Sequence, residues 1–508
     1  MADWTDGYVT EVGYTHGFYR ELLPLNLRLA ALTAGFKICA PTRYLELGCG
    51  QGFSANLIAA THPDVAVTAV DFNPAHIAEA EDLARRAGID NIELREASFA
   101  EIAGDGGPAT YDIIALHGIY SWVSPENRAF IRDIVRQRLK TGGLLYVSYN
   151  ALPGWAAAAP LRHLIAETAA HASGAVADRF DAARAFAERL HGAKARYFSQ
   201  NPMLAERLSN MAKHQKNYLV HEYLNTTWTP FYSTDVQRDF GEAKLTYAAQ
   251  ANLTDGVDLI NFTKEQREIL ADIKDAPFRE LIGDIMLNRQ FRRDVFIRGG
   301  LAINASRQMD EWLDVRVALT TAAEGVELKV NCGLGRVTLQ EPIYRPIIAS
   351  LSDGPKTVQD LMEEPSLAEI GWARARQALM ILIGQGSVSP ALPAAGEDIR
   401  AIRTARFNDA VIDAARFSGK LGFLASPVTG SGIPVDRIGQ LALLARRDSV
   451  NDSPAFIWSM IAAQGQRLMK DGKPLDAEAD NHAAIASRIA TFNEEQLPLL
   501  TRLGVAQA

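Results

Sequence analysis

"YLELGCGQG", residues Tyr44–Gly52, decides the fold. A short apolar run leads into three alternating glycines, Gly48, Gly50 and Gly52. "RYLEL" (43–47) is apolar at alternate positions and short, so it reads as a buried strand. "FSANLIAATHP" (53–63) reads as a helix that stops near Pro63. The glycines therefore sit on a strand-to-helix turn. Free N–H groups at a helix start attract anionic or polar ligands, and a residue without Cβ lets a ligand touch the backbone. "AVTAVDFNP" (66–74) follows as a second strand ending in Asp71. An acid at that tip, about 20 residues beyond the first glycine, can accept both hydroxyls of a ribose.

The alternation continues outward. "AHIAEAEDLARRAG" (75–88) reads as a helix ended by Gly88, and "IELREAS" (92–98) as a third strand. "YDIIALHG" (111–118) is nearly all apolar, as a buried parallel strand should be. "RAFIRDIVRQRLKTGG" (128–143) reads as a helix closed by glycines, and "LLYVSYN" (144–150) as a fifth strand. Strands alternating with helices imply a doubly wound α/β sheet.

Composition sets bounds. A chain of 508 residues implies about two to four domains. The formal net charge of −8 does not favour a nucleic-acid partner, whose phosphates require a basic face. Three cysteines, Cys39, Cys49 and Cys332, form neither a disulfide framework nor a CxxC metal pair, which fits a reducing compartment. The opening "MADWTDGYVTEVGY" lacks a basic then apolar leader, and no apolar run of roughly 18 residues occurs. A cytoplasmic protein without a membrane span is expected.

The glycine pattern is GxGxG rather than GxGxxG, because position 53 is Phe53, and Glu46 stands before it. "ELGCGQG" resembles the first motif of class I S-adenosylmethionine-dependent methyltransferases, and Asp71 matches the acid of their second. "LKTGGLLYVSY" resembles their late helix–GG–strand block. In "ASFAEI" (97–102), Ser98 stands where many members carry an acid beside the adenine, a departure from their pattern. A Rossmann domain for another nucleotide is the alternative. "YTHGFYRELLPLNLRLAAL" (14–32), "HGIYSWVSPENR" (117–128), "SYNALPGW" (148–155) and "YLVHEYLNTTWTPFYSTDV" (218–236) narrow the likeness. Together they resemble bacterial methyltransferases that carry a methyltransferase regulatory domain, a group that includes the rickettsial protein-lysine methyltransferases acting on an outer-membrane protein.

The resemblance implies S-adenosylmethionine as cofactor and a Rossmann-like, seven-stranded class I domain over residues 1–300. It assigns cofactor contacts to Glu46, Gly48, Cys49, Gly50 and Gly52, then to Asp71, Phe72 and Asn73, to Ser98 and Phe99, and to His117, Gly118 and Trp122. Tyr14, Tyr19, His117, Tyr149 and Asn150 are the catalytic candidates. A lysine acceptor has to be neutral to attack, and from a pKa near 10.4 that costs roughly 4 kcal/mol at about pH 7.5. An apolar, aromatic channel lowers this cost without a dedicated base. Each candidate has a plain structural alternative. Tyr14 and Tyr19 could pack an amphipathic helix, Trp122 could seal the sheet edge, and a lone His117 at a strand end is often structural.

Other chemistries find little support. His221 has no histidine at helical metal-ligand spacing, so "HEYLN" reads as an anchor for the insert, and no metal is expected. Tyr223 and Trp228 could line a substrate channel. The place of a [DN]PP[YFW] block reads "HGIY", and no cysteine follows a proline.

Residues 156–216 are alanine-rich and helical in period, a helical insert where substrate caps are often placed, with a regulatory-type segment over 217–300. "FYSTDVQRDFGEAKLTYAAQANL" (231–253) and "QFRRDVFIRG" (290–299) supply the sixth and the antiparallel seventh strands. Residues 301–395 read as a winged-helix-like module, "ALPAAGEDIRA" (391–401) as a linker, and 396–508 as mostly helical. Acids outnumber Lys and Arg between Glu341 and Arg400, so protein contact or a homodimer fits that region better than nucleic acid. Three functions are compatible with these readings: methylation of lysine on a protein substrate, including outer-membrane or surface proteins; methylation of a small-molecule acceptor; and a non-catalytic cofactor-binding module.

Overall fold

The computed structural model describes residues 5, 7–9, 11–13, 16–108, 110–470 and 472–507. Its centre is a seven-stranded sheet: β1 (Arg43–Leu47), β2 (Ala66–Asp71), β3 (Ile92–Glu96), β4 (Tyr111–Leu116), β5 (Leu139–Asn150), β6 (Leu245–Gln250) and β7 (Phe291–Arg298). The order is β3-β2-β1-β4-β5-β7-β6. The first five strands are parallel, and β7 runs antiparallel between β5 and β6. This is the class I methyltransferase fold.

Side chains alternate across β5 and so divide between two cores. Leu144 and Tyr146 join one core with Tyr44, Val67 and Ile113. Leu145, Val147 and Tyr149 join the other with Val236 and Phe240.

One boundary departs from the sequence reading. The helix before β5 ends at Arg138, and "LKTGG" belongs to the strand. Leu139 is fully buried, pairs with Tyr111, and its carbonyl accepts a hydrogen bond from Arg298. Lys140 reaches Asp112 at 2.7 Å. These edge contacts extend the strand past the glycines.

The insert is five helices: Ala159–His171, Val176–Gly192, Arg196–Gln200, Met203–Met211 and Lys216–Leu224. They enclose a core of their own around Phe180, Leu161, Leu208 and Val220. On β7, fully buried Arg292 bridges Asp284 at 2.6 Å and Asp294 at 2.9 Å.

Beyond β7, strands Lys356–Thr357, Arg316–Leu319 and Val388–Ala391 form a three-stranded sheet. The Arg316–Leu319 strand is central and antiparallel to both neighbours. A hairpin of strands Lys329–Cys332 and Gly335–Thr338 follows it, then helix, short strand, helices and strand, so the central strand comes first in the chain, an order a winged helix does not have. The expected linker is held in place. Leu392 N–H donates to Val428 O at 2.8 Å, and the helix Glu397–Ala414 starts five residues later. Buried Arg400 donates to the carbonyls of Pro427, Ala395 and Pro393. That helix docks on the central domain through Phe407 against Phe53, ring centroids 5.8 Å apart, and Arg403 to Asp90 at 2.7 Å. Among the described residues no helix is long and apolar enough to cross a membrane.

Candidate active site

The chain turns sharply at the end of β1. Gly48, Gly50 and Gly52 all have left-handed backbone, with φ of +75°, +54° and +67°. Each glycine is required for a different reason. A Cβ at Gly48 would stand 2.3 Å from Ile119 Cδ1, and one at Gly52 would stand 2.5 Å from Ala80 Cβ. A Cβ at Gly50 would meet nothing within 4 Å, because that position opens onto a cavity of about 840 Å3.

The helix Phe53–Thr61 begins immediately after the turn. Asp71, at the tip of β2, ties the turn down. Its Oδ2 accepts from Gly50 N–H and its Oδ1 from Asn73 N–H, both at 2.9 Å. His76 Nδ1 lies 3.1 Å from the same Oδ1. Asp71 thus shapes the loop and still faces the cavity.

Glu46, Gly48, Cys49, Gly50 and Gly52 line the cavity, as do Asp71 and Phe72. Ser98, Phe99, His117, Gly118 and Trp122 line its continuation, and Tyr19 and Asn150 close in from the N-terminal segment and β5. Tyr14 lies outside the described residues.

Asn73 and Tyr149 lie off the cavity, and Ser98 has a second engagement. Asn73 does not line the cavity; it caps the helix Pro74–Ala87 by accepting from Ala75 N–H. Ser98 lines the wall, but its hydroxyl is engaged in a capping box with Glu101 at 2.8 Å. Tyr149 does not reach the cavity. Its hydroxyl donates to Asp294 at 2.6 Å within the buried charge network of β7.

Asn150, next in the strand, points the other way. Its backbone N–H donates to Ser121 Oγ at 2.9 Å, while its amide Nδ2 is buried without a hydrogen-bond partner among the described residues. Glu46 Oε2 is likewise buried and unpartnered. Burial, then the nearby Asp71, push the Glu46 carboxyl up to about 8. Such orphaned groups are costly unless a ligand meets them.

His117 stacks on Tyr19, ring centroids 3.8 Å apart, and its Nδ1 lies 2.8 Å from Tyr146 Oη. Burial, with Arg293 adding to it, pushes the imidazole down to about 3. A neutral, stacked ring at that pKa is a poor general base near neutrality. Its geometry suits it to be a wall.

The family model described as "Methyltransferase domain" matches residues 40–216, and the one described as "Predicted methyltransferase regulatory domain" matches 215–298. An uncharacterised Synechocystis protein is 41% identical over 508 residues, covering 99% of this chain and 100% of that one. The chain belongs to the methyltransferases that carry a methyltransferase regulatory domain. The methyltransferase also shares its fold with PKMT2 from Rickettsia typhi, solved in complex with AdoHcy, at TM-score 0.70 and 19% identity, over 97% of this chain and 99% of that one. Trans-aconitate 2-methyltransferase of Methylobacterium nodulans is 29% identical over 148 residues, covering 29% of this chain and 50% of that protein.

This methyltransferase uses S-adenosylmethionine, whose sulfonium supplies a methyl group on a leaving group already in place. The residues present fit that cofactor. The open Gly50 position admits a ligand against the backbone, and Asp71 stands where ribose hydroxyls would reach it. The orphaned Glu46 carboxyl can take an amino group, and the Asn150 amide can donate to a carboxylate or carbonyl.

The cavity of the methyltransferase continues beneath the insert, where Met203, Arg207, Asn210, Tyr218 and Glu222 line it. Sequence patterning did not single out Met203, Arg207, Asn210 or Tyr218, because insert helices are amphipathic toward their own core and toward the cavity alike, and it read Glu222, within "HEYLN", as an anchor, where the structure makes it part of the cavity wall. His221 does anchor, with Nε2 2.9 Å from Val12 O. Tyr8 closes the N-terminal edge, its ring 5.7 Å from Phe72 and 5.1 Å from His221.

Proposed function

We propose that this methyltransferase transfers methyl groups to lysine side chains of protein substrates. The observation that carries the reading is the lining of the cavity beneath the insert. Beyond the glycine turn the cavity is walled by Trp155, Tyr218 and Tyr223 and by the carboxylate of Glu222. Aromatic walls suit an aliphatic stem ending in an amine and stabilise nearby positive charge. Burial there lowers the cost of presenting the amine in its neutral form. The whole-length likeness to PKMT2, including the C-terminal half, supports a protein acceptor, since a small molecule needs no extended docking surface.

A small-molecule acceptor is the second reading. The insert roofs the cavity, and the similarity to trans-aconitate 2-methyltransferase extends over part of the chain. Transfer of labelled methyl from S-adenosylmethionine into a host-cell extract separates the two. Label in the macromolecular fraction, removed by protease and recovered as methyl-lysine, supports the lysine reading. Label confined to the small-molecule fraction refutes it.

A further inference from the structure

Glu222 lies on the helix Lys216–Leu224, whose Leu219, Val220 and Tyr223 are buried in the insert core. Tyr218 and Glu222, four residues apart, share one helix face and both line the cavity. The Glu222 carboxylate has neither a hydrogen bond nor an ion pair with any described residue.

Its two cationic neighbours are committed elsewhere. Arg162 donates from Nε to the backbone oxygen of Glu222 at 3.0 Å and from Nη2 to Asn225 O at 2.6 Å. Its guanidinium covers the rings of Trp228 and Trp122, 4.7 and 5.5 Å from their centroids. Arg207 donates to Tyr223 Oη at 3.3 Å and Gln290 Oε1 at 2.8 Å, and lies 4.3 Å from the Trp155 ring centroid. Both guanidinium groups are held by backbone, amide or ring partners. Burial accordingly pushes the Glu222 carboxyl up to about 7, against the pull of Arg162 and Arg207. A half-buried carboxylate that lines the cavity, with no hydrogen bond or ion pair among the described residues, is free to take a cationic group from outside the chain.

We propose that Glu222 is the carboxylate that receives the amino group of the methyl acceptor. This rests on the lysine reading and makes it specific. The ligand class is an alkyl amine on an apolar stem that arrives as the ammonium, passes one proton to the Glu222 carboxylate and is left neutral, with Tyr218, Tyr223 and Trp155 lining the cavity around it.

The test uses the full chain loaded with AdoHcy and two probes, Nα-acetyl-lysine amide and its norleucine counterpart, which lacks the ammonium. Wild type is expected to bind the lysine probe at least tenfold more tightly. Glu222→Gln is expected to erase that preference while AdoHcy affinity, read by calorimetry, stays within twofold. A Glu222→Gln protein that keeps the preference overturns the assignment of Glu222 and leaves the lysine reading standing. A wild type without the preference overturns both. Should Glu222→Gln not fold, Glu222→Asp keeps the charge but withdraws it by one methylene. The preference is then expected to fall at least threefold, and an unchanged preference refutes the assignment.

Discussion

Alanine placed at Gly50 and at Gly52 should separate ligand space from folding space within one turn. Both residues are left-handed, so any Cβ there costs about 1–2 kcal/mol. At Gly52 the new Cβ would also stand 2.5 Å from Ala80 Cβ, well inside the roughly 3.5–4.0 Å of a carbon–carbon contact. The helix Pro74–Ala87 has to give way, which adds about 1–3 kcal/mol. Gly52→Ala is therefore expected to lose about 2–5 kcal/mol in all. Gly50→Ala should lose only the backbone part, because its Cβ meets no protein atom within 4 Å. That Cβ instead occupies the cavity where the cofactor backbone would lie. AdoHcy affinity should fall at least about tenfold, equivalent to 1.4 kcal/mol. Urea midpoints and calorimetry on both variants measure the two effects. A Gly50→Ala protein that binds AdoHcy within twofold of wild type would falsify the cradle. A Gly52→Ala protein as stable as Gly50→Ala would refute the packing argument.

Three further outcomes are expected. Tyr149→Phe removes the hydroxyl that donates to Asp294, so stability should fall by about 1–3 kcal/mol while the rate of methyl transfer stays at wild type. A slowed rate at full stability would return Tyr149 to the site. Asn150→Ala removes an amide nitrogen that no protein group satisfies, so its urea midpoint should hold while AdoHcy affinity or turnover drops several-fold. Unaltered binding and turnover would make that amide a bystander. His62 and His117 are buried neutral, their pKa values held down to about 4 and about 3 chiefly by burial. The unfolded chain takes up these protons near pH 6.5 and the folded one does not, so stability should fall as pH drops from about 6.5 toward 4. Each histidine contributes up to about 1 kcal/mol per pH unit across that window. His62→Gln should flatten the slope of unfolding free energy against pH, and an unchanged slope would count against the assignment.

Local rules reached the nucleotide half of the sheet. An apolar strand, a glycine turn and an acid at the next strand tip are encoded within one stretch, and β1, β2 and Asp71 lie where that stretch puts them. The errors arose where tertiary contacts decide. Tyr149 and Asn150 are adjacent in a strand, so at most one can face a given side. Nothing local says which, and the Arg292 network takes Tyr149. Ser98 and Asn73 were legible as something else. "SFAE" is a capping box and "NP" opens a helix, and each side chain serves the backbone first. Glu222 is set by helices that meet only in three dimensions.

The segment matched as regulatory has the weight of a structural beam. It supplies β6 and β7, and β7 is laid between β5 and β6 with Phe291 opposite Asn150. A chain cut at residue 216 would bare the edge of β5 and strand Tyr149 without Asp294. Removing the segment is therefore no way to make an unrestrained enzyme; it dismantles the site. Any influence bearing on residues 215–298 has no gap to cross before it reaches β5 and the cavity wall at Asn150, since one hydrogen-bonded pair of strands already spans the distance.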